Sequence, residues 1–236
     1  MKKVVVAISG GKDSTALLVY SLRKYRKREI IPIFCDTGWE APQTYEYLDY
    51  LEKKLKIKII KIKPKKNLIE LIRYKKIFPS MRRRFCSVEL KVKPTLEFCK
   101  KEKIKIILTG VRAEESRNRA KLSFTRYISK RFSIKQFFPL LYFREQDIIR
   151  IIKEAKLELN PLYKIGFKRV GCMPCLIGKS IEFYLCQKYF PNRVKILLDL
   201  EKELNRAGYN TTVKPHIKFD KFMEKVNKKF NIKRLF

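Results

Sequence analysis

The sequence is poor in histidine, in acidic residues and in long apolar runs. Its 236 residues include a single histidine, His216, which excludes a histidine-based catalytic triad and a zinc-hydrolase site. No apolar run approaches the ~18 residues that a membrane span needs. The apolar start at Val4–Ile8 is short and is interrupted by Ser9–Asp13, so it predicts a first strand and not a signal peptide. We therefore expect a soluble, cytoplasmic protein without membrane association.

Basic residues far outnumber acidic ones, which makes the chain strongly positive. There are 57 Lys and Arg against 23 Asp and Glu, a formal net charge of +34. Local concentrations occur at Lys61–Lys66 and Arg82–Arg84. This charge fits a nucleic-acid partner, either tRNA or DNA, because phosphates attract Lys and Arg. A compositional bias that scatters lysines over a solvated surface explains the same excess, and both interpretations stay open.

Short β-branched runs alternate with helical patterns through the first half of the chain. Strands are predicted at Val4–Ile8, Ile30–Phe34, Ile57–Ile62 and Ile104–Leu108, and helices at 14–26, 42–55, 68–75, 88–101 and 144–156. The alternation predicts an α/β fold with a Rossmann-like parallel sheet covered by helices on both faces. We expect an adenine-nucleotide-binding domain over 1–135. Over 136–236 we expect a metal- or iron–sulfur-binding segment with a helical C-terminal appendage packed on the sheet.

Three polar loops follow predicted strands at their carboxyl ends, where parallel sheets bind ligands. The first loop reads Ser9-Gly10-Gly11-Lys12-Asp13-Ser14. Its glycines let an anion approach the backbone, and the following helix N-terminus supplies N–H donors. Lys12 adds positive charge, the two serines add hydroxyl donors, and Asp13 would hold Mg²⁺ beside a triphosphate. The spacing differs from that of the Gly-x4-Gly-Lys-Ser/Thr phosphate loop.

The first loop resembles the pyrophosphate loop of adenine-nucleotide alpha hydrolases, also called N-type ATP pyrophosphatases. The second loop, Phe34–Glu40, is similar to the acidic second-strand loop of the phosphoadenosine phosphosulfate (PAPS) reductase family. The third loop, Gly110–Arg117, resembles that family's Arg-bearing fourth-strand loop, and Asn160–Cys175 resembles its late segment. The chain is identified as a member of this family over roughly residues 1–190. The resemblance implies the HUP-type version of the Rossmann-like fold.

The resemblance also implies roles for individual residues. The first loop would bind the nucleotide phosphates, the second would lie near the adenosine, and Arg112 would face a phosphate or sulfate. A surface ion pair with Glu114 or Glu115 is the alternative for Arg112. The implied catalytic residues are Lys12, Asp13 and Arg112. The implied nucleotide-binding residues are Ser9, Gly10, Gly11, Lys12, Asp13, Ser14, Asp36, Thr37, Gly38, Gly110 and Arg112.

The six cysteines do not indicate a disulfide framework in a cytosolic chain of this size. Cys172 and Cys175 form a Cys-x-x-Cys pair whose sulfurs can bind one metal. Cys86 lies in a segment that resembles the one supplying the other cluster ligands in iron–sulfur sulfonucleotide reductases, which have a Cys-Cys pair where this chain has one cysteine. The resemblance implies a [4Fe–4S] cluster on these three cysteines, with one iron open. Structural Zn²⁺ and a redox dithiol are alternatives, and Cys186 is a candidate fourth ligand.

Three functions follow from these features. The first is an ATP-dependent sulfur transferase: an acceptor oxygen on tRNA or DNA attacks the α-phosphate of Mg²⁺-bound ATP, pyrophosphate leaves, and sulfur displaces AMP. A cysteine desulfurase would be a suitable sulfur donor. The second is a sulfonucleotide reductase that forms sulfite from PAPS or adenosine phosphosulfate (APS). The missing cysteine beyond Cys186, where such reductases carry their nucleophile, counts against it. The third is a nucleotide-binding accessory protein without turnover.

Overall fold

A six-stranded sheet forms the centre of the computed structural model, which describes residues 3–232. Its strands are β1 (Val4–Ile8), β2 (Ile30–Cys35), β3 (Ile60–Ile62), β4 (Ile106–Thr109), β5 (Thr125–Ser129) and β6 (Ile134–Phe137). The order across the sheet is β3-β2-β1-β4-β6-β5, and only β5 runs antiparallel to its neighbour. The predicted Rossmann-like α/β sheet is therefore confirmed.

Helices connect the strands and continue beyond the sheet. They are α1 (Lys12–Lys24), α2 (Pro42–Leu55), α3 (Leu68–Lys75), α4 (Phe85–Ser87), α5 (Lys93–Lys101), α6 (Arg117–Ala120), α7 (Glu145–Glu154), α8 (Ser180–Tyr189), α9 (Pro191–Arg206) and α10 (Phe219–Ile232). A wider π-helical turn, Val88–Val92, joins α4 to α5. Across residues 3–232, every helix is too short or too polar to cross a bilayer.

Local sequence explains several of these boundaries. Helix α2 begins with Pro42, whose missing N–H costs nothing in a first helical turn. Helix α3 begins with a capping box, in which Glu70 N donates to Asn67 Oδ1 at 2.9 Å and Asn67 N donates to Glu70 Oε2 at 2.9 Å. Strand β1 lies in the middle of the sheet, and Val4–Ile8 is apolar throughout because both of its faces are covered.

Two apolar cores pack on the sheet itself. On one face, Val4 and Val6 of β1 pack in the same core as residues of α1, α2 and α7. On the other face, Val5 packs with Ile107 and with Cys99 of α5. The predicted helices on both faces are thus present, and the carboxyl ends of β1, β2 and β4 meet at one edge.

A third core lies beside the sheet and unites early and late parts of the chain. Trp39 and residues of α3 pack there with residues of α8, α9 and α10. This core covers the region where the second-strand loop meets the Cys-x-x-Cys segment, so it holds one wall of the site described below.

The strand predictions differ from the structure by more than one residue for β3, β4, β5 and β6. Strand β4 is Ile106–Thr109, whereas Ile104–Leu108 was predicted. Strands β5 and β6 were not predicted. Strand β3 is limited to Ile60–Ile62, because Ile57 and Ile59 turn into the core before the strand begins. The proposed division at residue 135 falls within β6.

Candidate functional site

The loop Ser9–Ser14 joins β1 to α1 and is held by its own hydroxyl groups. Ser9 N donates to Ser14 Oγ at 3.1 Å, and Ser14 Oγ donates to the Gly11 carbonyl at 2.9 Å. Gly10 has a φ of +74°, and a Cβ there would lie 2.8 Å from Thr44 Cγ2, so glycine is required. The loop presents the positive end of α1, which attracts anions. We call Ser9–Ser14 the phosphate loop, after the role that the sequence predicts for it.

The fourth-strand loop is locked to the phosphate loop by a buried arginine. Arg112 is only 4% exposed, and its Nε donates to Asp13 Oδ1 at 2.5 Å while Nη1 donates to Glu114 Oε2 at 2.7 Å. Burial alone would lower the pKa of Arg112, but the hydrogen bond and charge of Asp13, with the charge of Glu114, outweigh it and raise that pKa. Arg112 is therefore paired, as one interpretation expected, but inside the protein and mainly with Asp13.

Gly110→Ala is expected to lower the free energy of unfolding by about 1–3 kcal/mol, because a Cβ at Gly110 would lie 2.7 Å from the Asp13 carbonyl oxygen. The clash is with backbone, so relief requires moving the start of α1. Urea denaturation measures the change. Gly171→Ala is the control, since no described atom lies within 4 Å of a Cβ built there, and it should change stability by less than about 0.5 kcal/mol. Equal effects of the two changes would contradict the proposed packing.

The segment Asn160–Tyr163 is distant in sequence but forms hydrogen bonds with the phosphate loop. Lys12 N donates to Tyr163 Oη at 2.9 Å, and Asn160 Nδ2 donates to the Gly10 carbonyl at 3.2 Å. The Lys12 ammonium lies 5.1 Å from the Tyr163 ring centroid and 3.2 Å from Glu145 Oε1. The sequence associated Asn160–Tyr163 with the family but did not reveal this positioning role.

The second-strand loop is built around a buried carboxylate. Glu40 is 2% exposed, and it accepts hydrogen bonds from Thr37 N at 3.1 Å, Thr37 Oγ1 at 2.8 Å and Trp39 N at 3.2 Å. Asp36 Oδ1 accepts from Gly38 N at 3.0 Å. These bonds fix the loop without leaving its buried polar groups unpaired.

The same loop pairs directly with the Cys-x-x-Cys turn. Glu40 and Cys172 form an isolated antiparallel bridge, and Met173 N donates to the Trp39 carbonyl at 2.7 Å. Thr37 Oγ1 lies 3.5 Å from Cys172 Sγ. The loop expected near the adenosine is therefore in contact with the cysteines expected to bind metal.

Arg193 of α9 forms hydrogen bonds with both the second-strand loop and the Cys-x-x-Cys turn. Its guanidinium lies 4.9 Å from the Trp39 ring and donates to the carbonyl oxygens of Trp39 at 3.2 Å, Met173 at 3.0 Å and Glu40 at 2.5 Å. Burial lowers the pKa of Arg193. Sequence reasoning missed this residue, since one more arginine in a basic helix gives no signal.

Cys86, Cys172 and Cys175 lie close enough to influence one another electrostatically. Burial is the main cause that raises the pKa of each thiol. Neighbouring negative charges raise each pKa further: Cys172 acts on Cys86, Glu40 and then Cys175 act on Cys172, and Glu182 and then Cys86 act on Cys175. Cys186 lies apart in α8, fully buried and 3.9 Å from the Phe190 carbonyl.

Lys91, in the π-helical turn, adds a positive charge near Cys86, Cys172 and Cys175, which we call together the thiol group. The charge of Cys172 is the main cause that raises the pKa of Lys91, with Glu40, Cys35 and Cys175 adding to it and burial opposing it. In return, Lys91 opposes the rise in the pKa of Cys172. Lys91 therefore favours the thiolate form, which is the form that binds metals. Among residues 3–232, no three His, Cys, Asp or Glu side chains are arranged to hold a single metal ion.

One cavity of about 850 Å³ extends from the phosphate loop toward the thiols. The predicted nucleotide-site residues that line it are Ser9, Gly11, Lys12, Asp13, Ser14, Gly110 and Arg112, whereas Gly10, Asp36, Thr37 and Gly38 lie in the adjoining loops. At the other end, Lys91, Gly171 and Ile177 form the wall, so chain neighbours of Cys172 and Cys175 border the cavity while the thiols lie behind them. The phosphate loop therefore lines the cavity directly, whereas Cys86, Cys172 and Cys175 are absent from its lining and only residues near them in the chain, such as Gly171 and Ile177, border it.

Comparison with known proteins places this geometry in a family. The profile of the phosphoadenosine phosphosulfate reductase domain matches residues 3–177. A 37.8 kDa protein of Escherichia phage 186 is 30% identical over 88% of this chain and 78% of its own length. A Methanocaldococcus jannaschii protein is 30% identical over 86% of this chain, which spans only 48% of that relative. The adenosine 5'-phosphosulfate reductase of Streptomyces coelicolor is 28% identical over 61% of this chain and 60% of its own.

Solved structures agree in fold. The PAPS reductase of Candida auris superimposes with a TM-score of 0.55 at 19% identity, over 73% of this chain and 82% of that one. The U34-tRNA thiolase of Methanococcus maripaludis, solved with its [4Fe–4S] cluster, gives a TM-score of 0.53 at 19% identity, over 86% of this chain and 72% of that one. The sequence match, covering most of the chain, shows that this protein belongs to the phosphoadenosine phosphosulfate reductase family.

Proposed function

We propose that this chain is an ATP-dependent sulfur transferase that acts on nucleic acid and forms AMP and pyrophosphate. The observation that carries the proposal is a cavity of about 850 Å³ that is lined by the phosphate loop at one end and bordered by chain neighbours of Cys172 and Cys175 at the other. Sulfur transfer needs an activated acceptor and a sulfur source held near each other, and such an arrangement lowers the entropic barrier of the reaction. The formal charge of +34 suits a polyanionic acceptor.

The phosphate loop would promote the first step. An acceptor oxygen attacks the α-phosphorus of ATP, the bond to the bridging oxygen breaks, and pyrophosphate leaves with the electron pair. Lys12, which lines the cavity, and the N–H groups at the start of α1 would neutralise the charge that develops on the leaving group. Asp13 Oδ1 is bonded to Arg112, and Oδ2 accepts no hydrogen bond from residues 3–232, so Asp13 can take a Mg²⁺ ion bound to the phosphates.

The thiol group would promote the second step, in which a sulfur nucleophile attacks the activated carbon and AMP leaves with the former acceptor oxygen. Cys86, Cys172 and Cys175 fit an iron–sulfur cluster in donor type, and Lys91 offsets the negative charge that thiolates bring. When bound there, a [4Fe–4S] cluster with three protein ligands supplies one open iron that can carry sulfur.

Zinc fits this arrangement less well. Tetrahedral zinc needs four donors at about 2.0–2.3 Å from one point. The three thiols influence one another's pKa, yet within the described part of the chain they do not converge on a single ion. This group offers three thiols, one donor fewer than a structural zinc site uses.

A sulfonucleotide reductase is the second candidate, favoured by the similarity to adenosine 5'-phosphosulfate reductases. In that reaction a thiolate attacks the sulfonyl sulfur, the nucleotide leaves, and a second thiol releases sulfite. Cys186 is fully buried in α8, so it does not offer an accessible nucleophile in this fold.

The two reactions are separated by their products. Protein purified without oxygen is expected to release pyrophosphate from ATP, and single-stranded RNA or DNA should increase that rate at least tenfold. It should form no sulfite from PAPS or APS with thioredoxin. Sulfite without pyrophosphate would establish the reductase instead, and nucleotide binding without either product would indicate an accessory protein.

A further inference from the structure

We infer that the turn Ser80–Arg84 and the cations around the cavity mouth form a docking surface for single-stranded nucleic acid, one base of which enters the cavity. The inference deepens the proposed function and rests on it for the identity of the acceptor. It is carried by the distribution of paired and unpaired charges around the cavity.

The acidic side chains of the cavity wall are largely occupied. Asp13 and Glu114 are paired with Arg112, Glu115 with Arg119, and Glu145 with Lys12. The remaining wall carboxylates, Glu40 and Glu182, are buried, and Glu40 accepts three hydrogen bonds from its own loop.

The exposed basic side chains of the same wall have no carboxylate partner among residues 3–232. Arg84, Lys168, Arg169 and Lys179 line the cavity and are solvent-exposed, and none forms an ion pair within residues 3–232. Burial raises the pKa of Glu182, and the charges of Arg169 and Lys179 oppose that rise without forming an ion pair with it. The mouth therefore carries an excess of unpaired positive charge and is suited to an anion larger than the nucleotide at the phosphate loop.

A fixed turn extends this charge outward. Arg83 N donates to the Ser80 carbonyl at 3.1 Å, and Ser80 N donates to the Arg83 carbonyl at 3.2 Å. Behind the turn, buried Phe78 donates its N–H to Thr211 Oγ1 at 3.2 Å. Three consecutive arginines, 82–84, are exposed on this anchored segment. Because the backbone of this turn is already fixed, its three arginines can reach successive phosphates without first ordering the turn.

An exposed apolar side chain lies in the middle of the charged mouth. Met81 is 67% exposed and lines the cavity beside Arg84. A flexible thioether in this position can pack against the face of a base, while the arginines hold the backbone.

The position of the thiols favours a single strand over a duplex. They lie behind the cavity wall, so an acceptor base has to leave a base stack to approach them, and unpaired segments allow this at little cost. A cavity of about 850 Å³ is near the upper end of the ~300–1,000 Å³ range of ligand pockets, which leaves room for a base beside a bound nucleotide.

The test compares two triple variants that remove equal charge. Arg82→Gln/Arg83→Gln/Arg84→Gln is expected to weaken binding of a fluorescent twelve-nucleotide single-stranded RNA, and of DNA of the same sequence, at least tenfold. The slope of log Kd against log salt should fall by about 2, since each phosphate contact contributes roughly 0.7 for single strands. Arg26→Gln/Lys27→Gln/Arg28→Gln is the control, because these exposed residues precede β2 at the opposite edge of the sheet.

Each outcome decides the inference separately from the proposed function. Equal losses in both variants, no loss in the first, or tighter binding of a duplex of the same sequence would overturn the docking surface. Selective loss in the first variant, with its melting temperature unchanged, supports it. Pyrophosphate release by the unaltered protein is measured in parallel. Selective loss of nucleic-acid binding in the first variant, without any pyrophosphate release, supports the docking surface but refutes the transferase. Pyrophosphate release together with equal nucleic-acid binding by all three proteins supports the transferase but refutes the docking surface.

Discussion

Lys12→Ala is expected to lower the rate of pyrophosphate release from ATP about 10²–10³-fold, the usual loss when one preorganised group that stabilises developing charge is removed. The Lys12 ammonium lines the cavity at the start of α1, and Glu145 and Tyr163 hold it there. Its positive charge is needed most as the leaving group gains negative charge, so kcat should fall more than the affinity for ATP. Steady-state kinetics with a coupled pyrophosphate assay measures both.

Lys24→Ala is the matched control, since Lys24 is an exposed lysine in the last turn of the same helix, at the opposite edge of the sheet. It removes the same charge from α1 but should leave kcat unchanged. Equal kcat values for the Lys12 variant and the unaltered protein would place the chemistry elsewhere.

Cys172→Ser is expected to abolish most of the bound iron and the broad absorption near ~400 nm that an iron–sulfur cluster gives after anaerobic purification. Cys172 is the thiol most closely connected to the rest of the site, through Thr37, Glu40 and Lys91. A serine oxygen is a poor replacement for a soft thiolate ligand. Iron analysis and the visible spectrum measure the loss, and Cys86→Ser and Cys175→Ser should behave alike.

Cys35→Ser provides the control for this series. Cys35 lines the cavity and lies 3.4 Å from Thr95 Oγ1, but it is not a proposed ligand. Its replacement should leave iron content and absorption near those of the unaltered protein. A colourless protein that contains one zinc ion would refute the cluster, and equal iron loss from the Cys35 variant would refute the ligand assignment.

The sheet's centre could be predicted from sequence because its strands are apolar on both faces. Val4–Ile8 pairs with Ile30–Phe34 over its whole length, and both strands were located within one residue. Strand β5 escaped prediction because Thr125, Arg126 and Tyr127 are exposed at the sheet edge, so no buried face leaves a period-two pattern. Strand β6 has only four residues, two of them polar, which is too short for such a pattern.

The polar loops of the site could also be anticipated, because each directly follows a strand whose carboxyl end reaches the same edge. The residues that join these loops to one another could not be predicted, because they are distant in sequence from the loops they contact. Tyr163 bonds to Lys12 across 151 positions, and Arg193 bonds to Glu40 across 153. The position of Lys91 beside the thiols could not be predicted for a different reason. In a chain of net charge +34, nothing in the sequence distinguishes this lysine from the others.

The third apolar core has a consequence for how this family can be divided. Leu71 and Ile72 of α3 share that core with Leu197 and Leu200 of α9, beyond the matched span of residues 3–177. Truncation after residue 177 would remove α9 from this core and expose Leu71 and Ile72. The exposed apolar surface would promote aggregation. The folding unit is therefore larger than the segment that the family profile matches, and exchanging the tail between relatives would require compensating changes in α3.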